Sequence, residues 1–186
     1  MIQDKQMTKK SKTNLTDIQL LVMDVDGVLT DGSIIVNDDG SEGKRFNLLD
    51  GHGIRMWQRA GLKVAFLSGR FSKATQCRAE QLDIEHCIQD CFEKLPVLEK
   101  LLENVGIAAK RTAYIGDDLL DLAAIKYVGF GAAVANAVEE VKDVADYVTT
   151  RRGGDGAVRE VIEYILKTGG KWQELVKKYL PDSKVT

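Results

Sequence analysis

The sequence is short of several residues that build particular kinds of site. Two histidines among 186 residues exclude a three-histidine metal centre. Three cysteines, an odd and small number, cannot form a disulfide scaffold and fit a reducing, cytoplasmic setting. No apolar run approaches the roughly 20 residues of a membrane span, which argues against a membrane protein. Residues 1–17 carry charges with no apolar stretch behind them, so no signal peptide is expected. Neither sign of charge dominates: 26 Lys and Arg face 28 Asp and Glu, for a net charge of −2. That balance gives no basic footprint for nucleic acid.

What is present is an ordinary globular composition, with 44% hydrophobic and 29% charged residues. Residues 1–17 are polar and aperiodic and read as a mobile tail. Residues 18–168 read as one folded domain, and 169–186 as a tail carrying a short helix. Gln19 to Met23 suits a buried strand. Ser33 to Val36 and Lys44 to Leu48, around the turn Asn37-Asp38-Asp39-Gly40, read as a β-hairpin. Strands are then expected at 62–67, 84–89, 112–115, 132–134 and 147–148. Helices are expected at 52–60, 72–81, about 95–105 (stopping at Gly106), 118–127, 137–144 and 158–166. Strict alternation with short links predicts a doubly wound α/β domain with a mainly parallel, Rossmann-like sheet. Trp172, Leu175, Val176, Tyr179 and Leu180 form an amphipathic stripe beyond Gly169-Gly170. It must dock on its own domain or on a neighbouring subunit.

Ligands of open α/β sheets bind at the carboxyl ends of the strands. Those ends carry Asp24-Val25-Asp26-Gly27, Ser68-Gly69-Arg70, and Gly116-Asp117-Asp118 with Asp121 one turn later, while Lys94 opens the helix after the 84–89 strand. So many carboxylates in one place cannot all stay ionised unaided. A hard divalent cation resolves this, and oxygen-only ligands select Mg²⁺. Its remaining positions suit phosphate oxygens, with Lys94 and the Ser68 hydroxyl on the others. Singly, each feature reads better as structure: aspartates cap helices, Ser-Gly makes turns, and a lysine is a solvated charge. Their common placement at strand ends favours one site.

This ordered set resembles the haloacid dehalogenase superfamily of phosphotransferases. By that resemblance, Asp24 is the nucleophile that forms an aspartyl-phosphate. Asp26 protonates the leaving oxygen and then activates water. Mg²⁺ is held by the carboxylates of Asp24 and Asp117 and by the main-chain carbonyl of Asp26. Ser68 binds the phosphoryl group, and Lys94 steadies both Asp24 and the phosphate. Only 41 residues (27–67) and 25 residues (69–93) occupy the positions where cap domains are inserted. No cap is therefore expected, and a homo-oligomer, a tetramer, is expected to close the site.

A narrower resemblance is to the 3-deoxy-D-manno-octulosonate 8-phosphate (KDO 8-phosphate) phosphatases. It rests on Met23 to Gly32, Phe46 to Ile54, Ser68-Gly69-Arg70, Gly116 to Asp121, and Gly153 to Glu160. These are Mg²⁺-dependent tetramers of lipopolysaccharide precursor synthesis. The resemblance places Asp26, Asn47, Leu48, Leu49, Asp50, Gly51, Arg55, Arg70, Arg78, Lys94 and Asp118 in the substrate pocket. Arginines suit the carboxylate of a sugar acid. Asp155 stands where that family more often has a basic residue. Phosphatases of sialic-acid-type 9-phosphates share much of the pattern and remain an alternative. So does a catalytically silent binding protein on the same fold. A phospho-receiver domain fits poorly, because its acid pair and its lone phospho-acceptor come in another order. His52 reads as an incidental loop residue. His86, Cys87 and Cys91 match no zinc spacing, and Cys77 has no assigned role.

Overall fold

A computed structural model describes residues 13–180. Its centre is a six-stranded parallel sheet in the order β5-β4-β1-β6-β7-β8. The strands are β1 (Leu20–Met23), β4 (Lys63–Leu67), β5 (His86–Ile88), β6 (Thr112–Gly116), β7 (Phe130–Ala133) and β8 (Tyr147–Val148). β2 (Ile35–Val36) and β3 (Glu42–Gly43) form a separate antiparallel hairpin. β1 has every residue buried, as a strand covered on both faces requires. The chain turns to one side of β1 to make β4 and to the other to make β6, which puts the topological switch point at the end of β1. The doubly wound parallel architecture is as expected, and among the described residues only the hairpin is inserted after β1.

The helices are α1 (Leu48–Arg59), α2 (Lys73–Gln81), α3 (Lys94–Val105), α4 (Leu122–Tyr127), α5 (Glu139–Val144), α6 (Ala157–Thr168) and α7 (Trp172–Lys177). α1 begins four residues before its expected start. Asn47 caps it by accepting from the Leu49 N–H at 2.7 Å. Gly51, outside the expected helix, and Gly53, inside it, are both helical and permit close packing. A Cβ on Gly53 would stand 2.9 Å from Arg159 Cδ of α6, and one on Gly51 would stand 2.3 Å from an Arg78 terminal nitrogen. The second hairpin arm falls at Glu42–Gly43, before the expected Lys44 to Leu48: Lys44 to Asn47 lie outside the ladder and lead into α1.

Of the tail expected at 1–17, residues 1–12 lie outside the described residues. Leu15–Asp17 form a 3₁₀ turn capped by Asn14, and Leu15 is buried. The stripe beyond Gly170 docks on its own domain. Leu175 is buried, Arg159 and Lys167 of α6 lie over the Trp172 ring, and the Tyr179 hydroxyl meets His52 Nε2 of α1 at 2.8 Å. No helix among the described residues is long and apolar enough to cross a membrane.

Candidate active site

Backbone register assembles the site. Met23 of β1 lies beside Phe66 of β4 and Ile115 of β6. Asp24, Ser68 and Asp117 therefore leave adjacent strands within one or two residues of the same level. The Asp24 N–H continues the ladder by donating to the Ile115 carbonyl at 3.0 Å. After Asp26 the chain turns sharply at Gly27, whose φ is +92°. A Cβ there would also sit 2.0 Å from Asp117 Oδ2, so glycine serves both the turn and the neighbouring carboxylate. Thr30 Oγ1 pins this loop by accepting from the N–H groups of Gly27 and Gly32, each at 3.2 Å.

Lys94, at the first position of α3, is buried together with its partners. Its ammonium lies 2.9 Å from Asp24 Oδ1 and 2.7 Å from Asp121 Oδ1. Burial alone would lower this lysine's pKa, but the two carboxylates outweigh it and the net shift is upward. Asp121 Oδ1 also accepts from the Tyr114 hydroxyl at 2.7 Å, and its Oδ2 accepts from the N–H groups of Asp117 and Asp118. Asp121 thus uses both oxygens on donors inside the protein.

Asp24 and Asp117 are different. Burial is the largest cause raising Asp24, to about 6, with repulsion from Asp121 next. Asp117 is pushed up to about 8, again chiefly by burial and then by Asp24 and Asp121. Asp117 Oδ1 is buried with no hydrogen-bond partner. Carboxylate oxygens of Asp24, Asp117 and Asp121 lie within 4.8 Å of one another. An all-oxygen set with an orphaned buried atom and mutual repulsion fits a hard divalent cation. Asp24 and Asp117 have the free oxygens to hold it, while those of Asp121 are engaged.

The Ser68 side chain is buried beside this cluster. Its Oγ donates to the Arg70 carbonyl at 3.1 Å. The Ser68 carbonyl accepts from the N–H and the Sγ of Cys91, at 3.2 and 3.1 Å. Asp26 is partly exposed and meets Lys44 Nζ, 2.7 Å from its Oδ1.

The expected substrate residues fare unevenly. Asn47 donates weakly to the Gly154 carbonyl at 3.4 Å while capping α1, and Leu48 and Leu49 are exposed at the same helix end. Asn47 and Leu48, with Asp31, Arg45, Phe46 and Arg152–Asp155, line a cavity of about 560 Å³. Arg70 pairs with Glu42 of the hairpin at 2.9 Å, and Arg78 lies against Gly51 and over the Phe46 ring. Asp118 is exposed and caps the 3₁₀ turn Leu119–Asp121.

Two further expected substrate residues have partners within the chain. Asp50 is buried, and it joins α1 to α6 by accepting from the N–H groups of Arg159 at 2.8 Å and Gly156 at 3.3 Å. An N-terminal helix turn needs an acceptor, and Asp50 supplies it. Arg55 sits two turns into α1, about 10 Å from the helix start, at 1.5 Å per residue. It pairs with Asp83 and donates to the Gln81 carbonyl.

The chain and its fold have close counterparts. A model of the haloacid dehalogenase-like hydrolase family matches residues 88–162. The chain is 43% identical over 162 residues to the KDO 8-phosphate phosphatase of Salmonella typhi, covering 87% of this chain and 86% of that one. It is 44% identical over 158 residues to the same enzyme of Escherichia coli K12, covering 85% and 84%. The Moraxella catarrhalis KDO 8-phosphate phosphatase, solved with magnesium, phosphate and KDO, superposes with a TM-score of 0.88. It is 42% identical, with 90% of this chain and 96% of that chain covered. The cobalt-bound Haemophilus influenzae phosphatase superposes at 0.83 with 40% identity, covering 86% and 93%. Identity at this level along nearly the whole folded chain, with the same α/β architecture, means that this chain belongs to the KDO 8-phosphate phosphatase family of haloacid dehalogenase-like hydrolases.

Proposed function

We propose that the chain is a Mg²⁺-dependent phosphomonoesterase that hydrolyses KDO 8-phosphate to KDO and inorganic phosphate. The observation that carries the reading is the buried contact of Lys94 with both Asp24 and Asp121, beside the orphaned Asp117 carboxylate, at the switch point of the sheet. Similarity to the KDO 8-phosphate phosphatases supplies the substrate.

In this reading Asp24 is the nucleophile. Lys94 holds its carboxylate in place and faces the charge of the incoming phosphate. Asp24 bonds to phosphorus as the ester P–O bond breaks, and Asp26 gives the departing oxygen its proton. Asp26 then takes a proton from water, whose oxygen attacks phosphorus and frees Asp24. Asp24, Asp117 and the Asp26 carbonyl would hold Mg²⁺, which when bound would supply charge neutralisation and alignment of the phosphate. The Ser68 hydroxyl, buried beside Asp24, is turned toward phosphate on binding. Asn47, Leu48, Leu49, Gly51, Arg70, Arg78 and Asp118 form the sugar-facing rim.

The same reading includes a homo-oligomer, a tetramer, in the cytoplasm. Ile34, Ile35 and Val36 of the hairpin, Leu48 and Leu49, and Phe71, Phe92, Leu119 and Leu120 are exposed. Most of these stand around the carboxyl edge, where a second copy would exclude water from a site that has no cap. The three cysteines are free thiols, which suits a reducing compartment.

The test is Mg²⁺-dependent phosphate release across a panel of sugar phosphates. Preference for KDO 8-phosphate supports the reading. Preference for a sialic-acid-type 9-phosphate would keep the aspartate chemistry and overturn the substrate.

A further inference from the structure

Lys44 follows β3, in the segment expected as the second hairpin arm. Its side chain is only 3% exposed. Nζ ends on the Asp26 carboxylate, 2.7 Å from Oδ1 and 2.9 Å from Oδ2, and donates to Thr75 Oγ1 at 3.1 Å. Thr75 is fully buried on α2. Three separate segments therefore converge on one ammonium group. The other ion pairs of this region, Arg70 with Glu42 and Arg45 with Asp31, are much more open to solvent. Exposed pairs contribute little, whereas a buried lysine is costly unless it is well paired. Burial therefore sets the Lys44–Asp26 contact apart from its neighbours.

We infer that Lys44 is a positioning residue for proton transfer by Asp26. The inference rests on the phosphatase reading above and adds a residue to it. When Asp24 bonds to phosphorus, the ester P–O bond breaks and its electron pair takes the proton of the Asp26 carboxyl. A carboxylate remains against the Lys44 ammonium. The role is geometric: one buried ammonium, in reach of both Asp26 oxygens and of Thr75, keeps the carboxyl in one place while the proton leaves. Thr75 fixes the ammonium from behind, and the hairpin that carries Lys44 becomes part of the catalytic geometry.

Leaving groups distinguish this role from simple support of the fold. Departure of p-nitrophenolate needs little protonation, while departure of phenolate needs more, and the two aryl phosphates have nearly the same shape. Their kcat/KM values report steps only through departure of the leaving group. The experiment compares wild type, Lys44→Met, Lys44→Arg and Thr75→Val on both esters with Mg²⁺. For Lys44→Met, kcat/KM on phenyl phosphate is expected to fall roughly tenfold to a hundredfold, part of the 10²–10⁴ that general acid catalysis supplies. On p-nitrophenyl phosphate it is expected to stay within about threefold, with KM unchanged on both. Lys44→Arg restores part of the loss. Thr75→Val, which leaves the ion pair in place, shows the same selectivity more weakly and serves if Lys44→Met does not fold. Equal losses on the two esters, or no loss on either, would overturn the inference. A wild-type protein that released phosphate from neither these esters nor KDO 8-phosphate would remove the phosphatase reading itself and this inference with it.

Discussion

Lys94 and Asp121 lie 2.7 Å apart inside the protein, and the same ammonium reaches Asp24 at 2.9 Å. Asp121 is the fixed end of this arrangement. Its second oxygen is held by the N–H groups of Asp117 and Asp118, so one carboxylate ties the β6 loop to α3.

Asp121→Asn is expected to be severe although it is isosteric. Every hydrogen-bond partner of the carboxylate is a donor: Lys94, Tyr114 and two backbone N–H groups. An amide must turn its NH₂ toward at least one of them and leaves Lys94 with half its countercharge. Disrupting a buried pair costs about 3–5 kcal/mol. Denaturant unfolding should show a loss approaching that range, and steady-state assays should show a kcat reduced by at least tenfold. Tyr114→Phe removes one donor only and should cost about 1 kcal/mol.

Gly27→Ala is expected to damage metal binding. The added methyl would meet Asp117 Oδ2 and would force a left-handed backbone on alanine. Titration calorimetry should show weaker Mg²⁺ binding, and activity should require more Mg²⁺ for half-saturation.

The metal-free protein is expected to lose stability as pH rises. Asp24 and Asp117 have folded pKa values raised from 3.8 to about 6 and about 8, chiefly by burial. The folded state therefore holds protons that the unfolded state releases. Their penalty is absent below the unfolded value, grows as pH climbs from about 4, and is complete above about 8. Mg²⁺ binds the ionised form and offsets the penalty. Melting temperatures at pH 5 and pH 8, with and without Mg²⁺, should show the larger metal effect at pH 8. Asp117→Asn should flatten the metal-free profile.

Asp50→Ala is expected to destabilise the fold. It leaves the Arg159 and Gly156 N–H groups at the start of α6 without their acceptor. Loss of such a cap costs about 1–2 kcal/mol. Thermal unfolding should register it as a lower melting temperature.

Much of the site was legible because its residues follow strand ends that periodicity marks well. Asp24 and Asp26 follow a fully apolar strand, Ser68 and Asp117 follow the flanking ones, and Lys94 opens a strongly amphipathic helix. Local pattern was less informative where close packing decides. Gly51 lies in a helix expected to start only at residue 52, and the close approach of Arg78 to it is something no residue spacing reveals. Asp50 and Arg55 also hold α6 and Asp83, partners that come from distant segments. Lys44 was legible only as part of the hairpin. Only the fold of the hairpin onto Asp26 and Thr75 shows that it is buried. Asp121 stood in a recognisable motif, but its hub role appears only when Tyr114 and Lys94 arrive from other elements.

The most direct test of the account is the turnover of KDO 8-phosphate by Asp24→Asn beside wild type, both saturated with Mg²⁺. The account expects ready phosphate release by wild type and a loss of at least about a thousandfold in the variant, because no other group in the cluster can take the nucleophile's place. Near-normal turnover by Asp24→Asn would contradict covalent catalysis at this aspartate, and with it the roles assigned to Lys94, Asp26 and Lys44.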